Sequence, residues 1–102
     1  MLGIAAVVIA AVFVGMVLYR LFATENRVFG IFTFDAALVA TAAGAAHWWN
    51  GADSRWIVGA LLLAFAAPVT VFSAGSRGLK IGAAVLGVAG FALYAIAFAT
   101  RG

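Results

Sequence analysis

Four apolar runs, each about as long as the hydrocarbon core of a bilayer is thick, leave this chain few ways to fold. They cover Leu2 to Leu18, Val28 to Trp49, Arg55 to Ser73 and Leu79 to Thr100, with short polar breaks between them. At a helical rise of about 1.5 Å per residue, roughly 18–22 residues reach across a core of about 30 Å. Transmembrane β-strands would alternate over about 9–11 residues, whereas these runs are continuous. Composition removes the soluble alternative. Of the 102 residues 68% are hydrophobic and 9% charged, against roughly 45–50% and about 25% in a soluble domain. The charged side chains are too few to clothe a water-soluble fold. The sequence predicts an all-α integral membrane protein, a single domain over 1–102. Its four antiparallel transmembrane helices, at about 2–20, 28–49, 55–73 and 79–100, are joined by short loops.

The breaks carry the end signals. No basic stretch precedes Leu2 and no small-x-small cleavage site precedes Thr24, so the first run reads as an uncleaved span. Tyr19 and Arg20 close it as an interfacial pair, the ring among headgroups and the guanidinium reaching past it. Thr24 and Asn26 are N-cap candidates for the second helix, Asp53 and Ser54 for the third, and Ser76 for the fourth. Asn50-Gly51 is a turn signal. Arg20, Arg27, Arg77 and Lys80 lie at the first and third loops, and Arg55 and Arg101 on the other side. That bias places loops 1 and 3 in the cytoplasm of a bacterial or archaeal cell membrane, with both termini outside. Trp48, Trp49 and Trp56 then form an aromatic belt at the outer surface.

The net charge of +3 is scattered over helix ends without a basic run. It therefore reads as topology and lipid-headgroup contact, with no nucleic-acid partner. There is no cysteine, which excludes disulfides, thiolate catalysis and Cys-ligated metals. Helix association in lipid relies on close packing, and small residues permit it. Ala36, Ala40, Ala43, Gly44 and His47 form such a face on the second helix, and Ala83, Gly87 and Gly90 on the fourth. Ala11 with Gly15 and Ala60 with Ala64 do so on the first and third. These faces predict contact with other transmembrane subunits or with further copies of the chain.

Asp35 is the residue that is costly to keep where it stands, one-third of the way along the second run. A central aspartate disfavours insertion by about 2.5–3.5 kcal/mol. The carboxyl must be protonated, hydrogen-bonded to another helix or facing water, because a desolvated charge is expensive. Functionally it is a candidate ion- or proton-binding group. Structurally it can bond Thr70 or Ser73, or pair with Arg20 or Arg77, all expected near its depth if the helices run antiparallel. Pro68 withdraws one backbone donor from the third helix, freeing the carbonyl of Ala64. His47 is a conceivable pigment ligand, although a b-type haem would call for a second axial ligand and Met1 and Met16 both lie in the first helix. No metal site, catalytic residue or cofactor is expected, since no acid–base or nucleophile–base constellation occurs.

Two resemblances bear on function. Four helices in about a hundred residues resemble the small multidrug-resistance exporters in size, but the first helix has no acidic residue where those exporters use a glutamate. The order Arg27-Val28, Asp35, then Asp53 before an apolar helix to Phe65 is similar to the F subunit of multisubunit cation/proton antiporters. The spacing differs and a fourth helix is added. The sequence thus leaves two functions in view. The leading one is a non-catalytic accessory or structural subunit of a larger integral membrane complex. The alternative is an ion- or proton-coupled transport component, a homo-oligomeric carrier or antiporter subunit, using Asp35.

Overall fold

The computed structural model describes residues 2–22, 27–72 and 77–101. It is all-helical there: α1 (Leu2–Phe22), α2 (Arg27–Trp49), α3 (Ser54–Val71) and α4 (Arg77–Arg101). Each contains a stretch long and apolar enough to cross a membrane. The N-cap candidates Thr24, Asn26 and Ser76 lie outside the described residues, as does Ser73 beyond the end of α3.

The α2–α3 connection shows how local chemistry ends one helix and starts the next. The Asn50 and Gly51 amides donate to the Ala46 and Trp48 carbonyls at 3.1 and 3.0 Å, and the Ala52 amide to His47 at 3.2 Å. Gly51 has φ +102°, a left-handed conformation that glycine adopts without steric cost. Asp53 then caps α3, accepting from the Arg55 amide at 2.8 Å. The Arg55 guanidinium returns to the same carboxylate at 2.6 Å and donates to the Thr100 hydroxyl of α4 at 2.8 Å. Asp53→Ala is expected to lower stability by about 1 kcal/mol, with Asp53→Asn retaining most of the cap. Equilibrium unfolding of both variants in detergent checks this; equal losses would show that the ion pair, not the cap, matters.

The four helices stand in a ring, each packed on its sequence neighbours and α4 closing on α1. The bundle measures 40 × 19 × 17 Å, long enough to exceed a hydrocarbon core of about 30 Å. Each helix buries a stripe at three- and four-residue spacing. On α1 this is Gly3, Ala6, Ala10, Phe13, Val17 and Arg20, so the face expected at Ala11 and Gly15 is exposed instead. On α2 the buried line runs Thr33, Ala37, Ala40 and Gly44, and on α4 it runs Ala83, Gly87, Gly90, Tyr94 and Ala97.

The stripes do not mate small against small. Three large side chains sit in notches left by glycines on a facing helix. A Cβ on Gly87 would lie 2.8 Å from the Phe13 ring, and one on Gly90 2.7 Å from Leu63 Cγ. Tyr94 fills the third notch, between Gly44 and Gly59, where an added Cβ at either glycine would meet its ring. Because α3 and α4 pass so closely, a Cβ on Gly59 would also stand 3.1 Å from the Gly90 carbonyl oxygen.

Two polar side chains tie the helices that face each other across the ring. The Tyr94 hydroxyl of α4 donates to the Ala40 carbonyl of α2 at 2.8 Å. Arg20 of α1 donates from Nη1 to the Thr70 carbonyl of α3 at 3.2 Å.

Candidate functional site

Asp35 is exposed on the outer surface of α2. Successive helical residues turn by about 100°, so position 35 points about 180° away from the buried line through Thr33, Ala37, Ala40 and Gly44. It makes no hydrogen bond or ion pair with any described residue. Its surroundings are Ile31, Phe32, Leu38 and Val39, all exposed. It lies eight residues beyond Arg27, about 12 Å along the helix axis from the start of α2.

Of the polar groups expected beside Asp35, Thr70, Arg20 and Arg77 make no hydrogen bond or ion pair with it. The Thr70 side chain is buried and donates back to the Ala66 carbonyl at 2.8 Å, inside its own helix. Arg20 does not accompany Tyr19 outward: it is only 4% exposed, lodged between α1 and the last turn of α3. Position 20 continues the buried stripe of α1, and the carbonyls ending α3 attract a cation there. Tyr19 itself is exposed, its ring 5.1 Å from that of Phe29. Arg77 is exposed at the start of α4. Among the described residues nothing within this chain satisfies the Asp35 carboxyl.

The tryptophans divide. Trp48 and Trp49 are exposed, whereas Trp56 is 1% exposed and belongs to the interior. Its ring lies 5.1 Å from Tyr94, and the His47 ring meets it edge-on at 4.6 Å and 88°. His47 Nε2 also borders Gly3, where an added Cβ would stand 3.2 Å away. The imidazole is therefore wedged between α1 and α3. The buried Trp56 Nε1 has no acceptor among the described residues. Tyr94 is the polar residue that sequence reasoning passed over. Its signal was available: a tyrosine in register with Gly87 and Gly90 on an otherwise small-residue helix face.

The other side of the ring offers a contrast. An open groove of about 450 Å³ runs along the outside of α4, lined by Ile81, Ala84, Val85, Val88, Ala89 and Ala92. That lining has no polar side chain, unlike the outer face of α2 at Asp35. No known protein family, curated protein or solved structure matches this chain.

Proposed function

We propose that this chain is a non-catalytic packing subunit of a larger integral membrane assembly, docked through the outer face of α2. Its four helices cross the bilayer antiparallel, with loops 1 and 3 in the cytoplasm and both termini outside. The observation that carries the reading is the outward placement of Asp35. Ionisable side chains within a membrane face the bundle interior or water and are paired. Here the interior is already filled by Tyr94, Phe13 and Leu63, and the carboxyl points away from it. A neighbouring chain that covers α2 supplies the missing polar environment. Support for the antiparallel arrangement comes from Gly3, near the start of α1, lying beside His47 late in α2 and Phe98 late in α4.

The test is migration of the intact chain extracted in mild detergent. The protein should run well above its 10.4 kDa mass, and Asp35→Leu should shift it to smaller species. A wild type that is monomeric in mild detergent and gives no cross-linked product in native membranes would overturn the proposal. Accessibility of a tag at either terminus to membrane-impermeant reagents in intact cells checks the orientation; protection of both would invert it.

The same outward carboxyl favours a second reading, ion- or proton-coupled transport in which Asp35 binds the ion at a subunit boundary. Flux through reconstituted wild type that disappears in Asp35→Asn would establish it over the packing role. Equal absence of flux in both, with assembly intact, would remove it.

A further inference from the structure

We infer that the neighbour on α2 is a second copy of this chain, related by a twofold axis along the membrane normal, with the two Asp35 carboxyls hydrogen-bonded to each other across that axis. This rests on the reading of the α2 face as a docking surface and adds what occupies it.

The argument is one of polar complementarity at a fixed depth. A copy inserted in the same orientation presents its groups at the same levels as the first. Asp35 is about 12 Å from the start of α2. Counting the same distance along the other helices reaches Val14 and Gly15 on α1, Leu63 and Ala64 on α3 and Val85 on α4, all without a polar side chain. The cations with described side chains are elsewhere. Arg20 is buried within the bundle, Arg55 is held by Asp53 at the opposite end, and Arg77 and Lys80 stand in the opening residues of α4. Among the described residues, the polar group that a second copy can offer at this depth is therefore its own Asp35.

Twofold contact is the geometry that brings the two together, and it is the commonest symmetry of self-association. Two protonated carboxyls are self-complementary: each O–H donates to the carbonyl oxygen of the other, and the pair is neutral, so it needs no counter-cation. The rest of the outward line accommodates a close partner: Leu38, Ala42, Ala46 and Trp49 continue from Asp35 at spacings of three, four, four and three, and all are exposed. Ala42 and Ala46 permit close approach of the two backbones below the carboxyl pair.

The chain has no cysteine, so single-cysteine variants of the full chain report the contact directly in native membranes. With a thiol oxidant, Ala42→Cys and Ala46→Cys should give a covalent dimer, and Val85→Cys on the outer face of α4 should not. In the Ala42→Cys background, Asp35→Asn should preserve the dimer, because a carboxamide pair is also self-complementary. Asp35→Leu should lower the association constant of the dimer about tenfold, the scale of an interhelical polar contact in a membrane. A cross-link from Ala42→Cys to a different chain alone would overturn the second-copy inference while sustaining the packing-subunit reading. Self-cross-linking unaffected by Asp35→Leu would overturn the carboxyl pair. Absence of any cross-link, with monomers in mild detergent, would overturn the inference and the underlying reading together.

Discussion

Gly44→Ala will destabilise the bundle by about 2 kcal/mol, even though alanine is the better helix former. The intrinsic preference favours alanine by about 1 kcal/mol in a helix interior. The opposing term is larger because the new methyl would overlap the Tyr94 hydroxyl and the ring carbon that bears it. Overpacking a filled core costs about 1–3 kcal/mol. Tyr94 cannot swing aside freely, since Gly59 backs the Cδ1–Cε1 edge of its ring, where an added Cβ would lie 2.8 Å away, and Trp56 lies against the ring at 5.1 Å. Any displacement also stretches the bond to the Ala40 carbonyl, a further loss of about 0.6 kcal/mol by the average for interhelical hydrogen bonds in membranes. Tyr94→Phe removes the closest atom, so the double variant should be less unstable than the two single losses added together. Reversible unfolding in detergent across the double-mutant cycle measures that coupling. A Gly44→Ala variant as stable as wild type would mean that the notch is not filled as described.

Arg20→Met will lower stability by about 2 kcal/mol and loosen the last turn of α3. Methionine keeps much of the unbranched stem, so the loss reports the guanidinium instead of packing. A hydrogen bond from a charged donor contributes about 1.5–3 kcal/mol, and here it reaches the Thr70 carbonyl in the last turn of α3. Arg20→Lys should recover part of the loss, because a compact ammonium keeps the favourable charge at the helix terminus but not the planar fork. Hydrogen exchange gives the local readout. The Phe72 amide, bonded to the Pro68 carbonyl at 3.0 Å, should exchange faster in Arg20→Met, while the Arg55 amide at the far end of α3 should not. Uniform acceleration at both ends would assign the effect to global destabilisation alone.

The helices were legible in the sequence because span length and apolar continuity depend only on local composition. Asn50, Gly51 and Asp53 also act where turn and capping chemistry placed them. Facing was harder to read. Ala11 and Gly15 are small and correctly spaced, yet α1 turns the line through Ala10, Phe13 and Val17 inward, because a phenylalanine ring against Gly87 fills space that two small residues would leave empty. In an alanine-rich chain small-residue spacing occurs on every face, so it cannot select one; the large residue opposite a glycine does. The same ambiguity concealed Arg20 and Trp56. By residue type both belong at an interface, whereas each continues a buried stripe. Asp35 was singled out by its chemistry, but its direction depends on which face of α2 the bundle claims, and Gly44 opposite Tyr94 decides that.

The short turn at Gly51 also bears on how such a chain would enter a bilayer. The span in α2 is the least apolar of the four, and it carries the aspartate. Few residues separate its end at Trp49 from the cap at Asp53, so α3 follows α2 before the first helix can drift far into lipid. The two would then partition as a helical hairpin, the richer apolar surface of Leu61 to Phe65 helping a partner that inserts poorly alone. Lengthening that turn would be felt during biogenesis, as a second span left stranded outside the membrane, before it affected the finished bundle.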